Sequence, residues 1–245
     1  MKSNQLMLKN TQYNKFSYDE HAKKCDPTDL HGQVLRTVKG KPLDQVQIQI
    51  IINRIKSGLS LKSNDVVLDL ACGNGSISEY LFQECKGYLG VDVSTYLIDI
   101  ANTNFKKNAD YMFKSSAVLS YLNNENNPER FTKLLIFAAF QYFTDEEAIE
   151  ILTLIQKKFI NVSVIFLGNM PDLERSKVFY HDSQPSIEEL GDHQTAIGKW
   201  RTEEQLSYLA ELSGWNSCFP KIKDDFYASN YRFDVNLFKD GRAKD

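Results

Sequence analysis

Two carboxylates and two glycines carry the clearest chemistry in this chain. Asp69 sits in an apolar run, Val66-Val67-Leu68-Asp69-Leu70, and Ala71-Cys72-Gly73-Asn74-Gly75 follows it. A strand, a glycine turn and a helix start bring peptide N–H groups up against a ligand, and glycine leaves room for the close approach. Asp92 lies seventeen residues past Gly75, after a second apolar run, Tyr88-Leu89-Gly90-Val91. Its two oxygens suit the two hydroxyls of a ribose. That geometry serves NAD and S-adenosylmethionine alike, so these residues by themselves leave the cofactor open. Arg36 offers a planar fork for a ligand carboxylate, and Tyr18 stands near it in the chain as a further binding candidate. His181 and His193 are the candidate bases, because imidazole titrates near neutrality. The four cysteines show no metal-ligand spacing, so no metal is expected.

The elements that must hold these groups follow from periodicity. The first strand covers Val66–Leu70, and the spacing predicts a helix over 76–86 that stops at Gly87. The second strand ends at Asp92. Ser94 is the N-cap of a helix that presents Leu97, Ile98, Ala101 and Phe105 on one side. Short apolar runs predict strands at 111–114, 133–138 and 162–167. Thr144-Asp145-Glu146-Glu147 and Thr202-Glu203-Glu204-Gln205 are capping boxes opening two more helices. Pro42 is expected in the first turn of an earlier helix carrying Val46, Ile50, Ile51 and Ile55. This alternation of apolar strands and helices predicts a parallel sheet covered on both faces. The closing run 231–238 alternates in polarity, as an antiparallel member would. Residues 168–200 exceed a normal connection and form an insert, of the kind that builds lids and substrate loops. Within it, Tyr180 stands beside His181. Arg232, in an otherwise apolar strand, is expected to be buried in an ion pair.

Composition narrows the class. The 245 residues carry 29 basic and 32 acidic side chains, a formal net charge of -3, and 42% are hydrophobic. That balance supports a sizeable core and argues against a generic nucleic-acid binder. No apolar run reaches the roughly 18 residues of a membrane span. The polar start, Met1-Lys2-Ser3-Asn4-Gln5, has no apolar signal core, so a cytoplasmic location is expected. The division expected is a helical cover over 1–59 and a ligand-binding core over 60–245, forming a single structural domain.

On two motifs the chain resembles the class I S-adenosylmethionine-dependent methyltransferases. Asp69-Leu70-Ala71-Cys72-Gly73-Asn74-Gly75 looks like that family's first motif with Ala71 in place of the first glycine, and Gly90-Val91-Asp92-Val93-Ser94 looks like its ribose-binding strand end. The resemblance implies a doubly wound, Rossmann-like α/β sheet of seven strands with an antiparallel last strand. It also implies S-adenosylmethionine as cofactor, held by Asp69, Ala71, Cys72, Gly73, Gly75, Asp92 and Val93. Ser116 and Ala117 fall where the family contacts adenine, although the acid often found there is missing. Phe137 falls on the fourth-strand motif, and Gln141, Tyr142 and Tyr180 are candidates for the acceptor. Arg36-Thr37-Val38-Lys39-Gly40-Lys41-Pro42 and Tyr231-Arg232-Phe233-Asp234 look like methyltransferases of bacterial surface-polysaccharide and modified-sugar pathways. The implied activity is methyl transfer to an oxygen or nitrogen of a small polar metabolite. The rival readings are a non-catalytic cofactor-binding module, an NAD-dependent oxidoreductase and a nucleic-acid methyltransferase. Absence of an Asn/Asp-Pro-Pro-aromatic motif after the fourth strand weighs against the last.

Overall fold

Seven strands form one sheet, and the chain crosses it so that both faces are covered. The structure is a computed structural model describing residues 17–180, 183 and 185–239. The strands are β1 (Val66–Leu70), β2 (Gly87–Asp92), β3 (Tyr111–Ser115), β4 (Lys133–Phe137), β5 (Val164–Pro171), β6 (Asn216–Cys218) and β7 (Arg232–Phe238). Their spatial order is β3-β2-β1-β4-β5-β7-β6. The pairs among β1 to β5 are parallel, and β7 runs antiparallel to β5 and β6. The order reverses between β1 and β4, and a doubly wound sheet binds its ligands at such a point, beyond the carboxyl ends of the strands.

Side chains alternate between the faces, as the pleat requires. Leu68, Leu134, Ile136, Ile165 and Leu167 face a layer made by α5 (Val118–Asn124), α6 (Asp145–Lys158) and α9 (Glu203–Leu212). Val67, Leu135 and Phe166 face the opposite layer, which includes α3 (Gln45–Leu59) and α4 (Thr95–Asn104). Four helix starts are set by side-chain caps: Asp44, Ser94, Thr144 and Thr202 each accept from a peptide N–H three residues on. The last two are complete capping boxes. Each such cap contributes about 1 kcal/mol.

Three expectations fail, each for a local reason. The segment after the glycine turn is a 3-10 turn at Ser78–Leu81 rather than an α-helix over 76–86. Ser76 N–H bonds the Asn74 side chain and the Ser78 hydroxyl bonds Tyr88, so short polar side chains offer alternatives to a regular helix. Pro42 lies in a two-residue ribbon paired with Thr37–Val38, and Asp44 starts the helix instead. β5 runs on to Pro171, beyond its expected end, because β7 pairs with it through a bulge between Leu167 and Met170. The insert therefore begins only after Pro171. It contains α7 (Ser176–Tyr180) and α8 (Ile187–Gly191).

Candidate functional site

The carboxyl ends of β1, β2 and β4 open onto a cavity of about 980 Å³. Two chain turns at this rim, Ala71 (φ 60°) and Ala138 (φ 55°), are left-handed without being glycine. Each costs roughly 1 kcal/mol, so the surrounding structure must hold it. Ala71 stands where the family motif has its first glycine, and the backbone there keeps the conformation glycine would adopt.

Asp92 is the best-anchored group at the rim. Its Oδ2 accepts from Gly73 N–H at 2.8 Å and its Oδ1 from Ser94 N–H at 2.9 Å. Two peptide donors hold the carboxylate and leave lone pairs on both oxygens. Burial raises its pKa, and the peptide donors counter that. Asp69, 2% exposed, accepts from the Tyr88 hydroxyl. Burial pushes its pKa up to about 7, against the Tyr88 bond and the Arg36 charge, while Asp92 adds to the rise. Arg36 donates from Nη1 to Ser76 Oγ at 2.6 Å, and burial lowers its pKa to about 10. His31, 3.4 Å from Arg36, is pushed down to about 4 by burial and that charge. Among the described residues no carboxylate forms a salt bridge with Arg36.

The N-terminal segment closes one side. In α1 (Tyr18–Lys24), the Tyr18 hydroxyl meets that of Tyr142 at 2.6 Å, and Asp19 accepts from Ser94 Oγ at 2.6 Å. Asn74 ties the glycine turn to α2 (Leu30–Gln33), donating to Leu30 O at 2.7 Å and to Gln33 Oε1 at 2.9 Å. Tyr142 reaches across to the insert by donating to Ala196 O at 2.7 Å. Burial raises the pKa of both tyrosines, so both stay protonated at neutral pH.

The cavity brings together most of the residues singled out from the sequence. Asp69, Ala71, Cys72, Gly73, Asp92 and Val93 line it on the glycine-turn side. Tyr18, Arg36, Ala117, Phe137, Tyr142 and His193 line the remainder. Four others are placed away from its wall. A Cβ on Gly75 would lie 2.8 Å from the Phe113 ring and 3.2 Å from Ala101, so that glycine serves packing against β3 and α4. The Ser116 hydroxyl donates to Ala117 O rather than into the cavity. Gln141 is buried beneath the rim, donating to Ala138 O at 2.9 Å. Tyr180 stacks in an aromatic cluster with Phe179 and Trp200. His181 lies outside the described residues. Arg232 has no ion pair among the described residues; on β7 it is Asp234 that is paired, with both oxygens on Arg54.

Sequence reasoning missed Asp19, Lys23, Tyr96, Glu147 and Thr195, all on the wall. Glu147 carried a signal, since its capping box starts the helix that follows β4. Asp19 and Lys23 carried none, because the docking of α1 through Ser94 sets their position. Among the described residues no group of three or more His, Cys, Asp or Glu is placed to hold a metal ion. Among the described residues no helix is long and apolar enough to cross a membrane.

The sheet order, with two acids at the ends of its neighbouring strands, is that of a Rossmann-like fold of the class I methyltransferase type. Residues 67–157 match the profile of the family described as a methyltransferase domain. Magnesium protoporphyrin IX methyltransferase from Synechocystis PCC 6803, solved with S-adenosylhomocysteine, is similar at TM-score 0.58 and 14% identity. That alignment covers 91% of this chain and 93% of the other. An uncharacterised methyltransferase of Schizosaccharomyces pombe is 46% identical over 52 residues, 21% of this chain and 16% of that protein. An uncharacterised RNA methyltransferase of Clostridium tetani is 32% identical over 66 residues, 27% of this chain and 14% of its own length. The match thus spans about one-sixth of each of these two curated relatives. The fold is thus that of the class I methyltransferases, and the segment 67–157 is similar to the methyltransferase-domain family.

Proposed function

We propose that this protein transfers a methyl group from S-adenosylmethionine to an oxygen or nitrogen of a small polar acceptor. The sugar-bearing metabolites of surface-polysaccharide pathways are the acceptor class to which Tyr231-Arg232-Phe233-Asp234 points by likeness. The anchored Asp92 carboxylate carries the reading, because two peptide N–H groups aim its free lone pairs at the cavity. The donor set fits the cofactor. Asp92 suits the ribose hydroxyls, and Arg36 beside Asp69 suits a zwitterionic amino-acid end. Phe137 and Ala138 supply apolar wall between those groups and the tyrosine pair.

When bound, the cofactor supplies a methyl group already made electrophilic by its sulfonium. What remains for the chain is alignment and exclusion of water, which are worth several kcal/mol of barrier. The α1 segment, held by Asp19 to Ser94 and by Tyr18 to Tyr142, covers the cavity and keeps water out. A ring nitrogen of His193, on the opposite wall, takes the acceptor's proton. The Tyr18 and Tyr142 hydroxyls position the acceptor by hydrogen bonds.

Calorimetric titration with S-adenosylmethionine, S-adenosylhomocysteine and NAD in parallel tests this. Micromolar binding of the two sulfur nucleotides and none of NAD is the expected result. Binding of NAD alone overturns it.

A further inference from the structure

Four acids line the cavity, Asp19, Asp69, Asp92 and Glu147, against three basic side chains, Lys23, Arg36 and His193. Asp19 pairs with Lys23. Asp92 suits the ribose, Arg36 beside Asp69 suits the amino-acid end, and His193 receives the acceptor's proton. Glu147 is left over. It is half-buried, and among the described residues no cation lies within ion-pair distance of it. The two cations that end the insert, Lys199 and Arg201, both meet Asp145 instead.

Glu147 stands at the acceptor end. It follows Tyr142 and Phe143 on the turn from β4 into α6. The insert is tied to that turn by the Tyr142 hydroxyl, which donates to Ala196 O at 2.7 Å, and by Lys199 N–H, which donates to Gln141 O at 2.9 Å. Capping α6 uses only part of the Glu147 side chain. Its Oε2 accepts from Thr144 N–H at 2.9 Å, and among the described residues nothing donates to its Oε1. Nor does capping call for a charge, because the neutral Gln205 does the same for α9, its Oε1 accepting from Thr202 N–H at 3.0 Å. Tyr18, Phe137, Tyr142 and Phe143 line the same cavity, and aromatic faces attract cations. A carboxylate that loses its water as ligand and α1 close around it is costly unless a counter-charge takes the water's place.

We propose that the acceptor carries a protonated amine, which pairs with the free oxygen of Glu147 in this aromatic-lined end of the cavity. The inference rests on the methyl-transfer reading above and narrows its acceptor to an amine-bearing metabolite, such as an amino sugar. A protonated nitrogen has no lone pair to take a methyl group. The amine is therefore the anchor, and the methyl goes to a second oxygen or nitrogen of the same molecule, whose proton His193 takes.

The test is a carbon NMR titration of the full-length chain labelled at its glutamate carboxyls, with and without S-adenosylhomocysteine. The probes are glucosamine and ethanolamine, and their neutral counterparts are glucose and ethylene glycol. Assigning the Glu147 carboxyl through its own backbone lets the wild type report by itself, whether or not a variant folds. A saturable shift of that resonance with either amine is expected, beyond the change given by sodium chloride at equal ionic strength and absent with the neutral counterparts. Glu147→Gln keeps the cap, as Gln205 does in α9, and removes the charge. It should lose about tenfold or more of the amine affinity and bind S-adenosylhomocysteine within about twofold of wild type. An amine affinity that survives in that variant overturns the pairing. So does an equal response to the neutral counterparts, or no shift beyond the salt control in a sample that binds S-adenosylhomocysteine; either leaves the cofactor reading standing. Failure to bind S-adenosylhomocysteine overturns that reading separately.

Discussion

At the glycine-turn end of the cavity, the two acids are fixed by near neighbours in the chain. Asp92 is held by residues 19 and 2 positions away, and Asp69 by one 19 positions away. At the tyrosine end the separations are of another order: 124 positions between Tyr18 and Tyr142, 54 between Tyr142 and Ala196, and 63 between Asn169 and Arg232. The two acids belong to one strand-turn-strand unit, preorganised wherever that unit folds. The second exists only when α1, the β4 end, the insert and β7 have docked. A cofactor corner built on strand ends and an acceptor end assembled from loops are the division of labour expected when binding is built on a rigid scaffold and specificity on its connections.

The sharpest way to break that comparison is through Asp69. Its folded pKa of about 7 lies above the ordinary 3.8 because burial disfavours the charged form. The native state therefore binds a proton that the unfolded chain has released between about pH 4 and pH 7. Stability from this group is fully present below the unfolded value and is lost as pH rises through the folded one. At about 1.4 kcal/mol per unit over the roughly three units between those values, the full loss is on the order of 4 kcal/mol. Urea unfolding of wild type and Asp69→Asn at several pH values should show the variant gaining on wild type by most of that amount between about pH 4 and pH 8. Parallel curves would mean that Asp69 is ionised throughout, and that the glycine-turn end is less sealed than its geometry implies.

Asp92→Ala comes next. It removes the acceptor for two peptide donors as well as the ribose contact, so S-adenosylhomocysteine affinity should fall more than tenfold, above about 1.4 kcal/mol. Asp92→Asn, which keeps one acceptor oxygen, should fall less. Calorimetry reads both, and unchanged affinity would remove Asp92 from the ribose.

The same contrast explains how much could be read from the chain. The glycine-turn end was legible because its signals are local: an acid at a strand tip, a turn, a second acid, and caps at Ser94, Thr144 and Thr202. Even there, Gly75 was assigned to the ligand although the Phe113 ring is what requires it, since a motif does not say which side of a turn faces the cavity. The 3-10 turn at Ser78–Leu81 escaped for a related reason: helical spacing is visible in sequence, whereas the Ser78–Tyr88 bond that competes with it is tertiary. At the other end, Tyr18 and Tyr142 were found only as separate candidates, Gln141 and Tyr180 point into structure rather than cavity, and Arg232 was expected in an ion pair that Asp234 makes instead. No local pattern announces a partner 124 residues away.

The smaller effects sharpen the comparison. Tyr18→Phe and Tyr142→Phe each leave one hydroxyl; because the pair is half-buried, a double-mutant cycle on thermal stability should return a coupling of about 1 kcal/mol. Additive losses would mean that the two ends of the chain are not joined there. Ala71→Gly should have the least effect, and its direction is informative. Glycine relieves the left-handed strain of roughly 1 kcal/mol but adds freedom to the unfolded chain worth 0.5–1 kcal/mol, so a net gain near zero to about half a kcal/mol is expected. If the variant is instead clearly less stable, the Ala71 methyl contributes packing against the sheet layer it borders, and the departure from the family's glycine is a stabilising feature of this chain. If stability is unchanged while S-adenosylhomocysteine binds tighter, the methyl stands in the cofactor's way, and the glycine-turn end is less complete here than its other contacts make it.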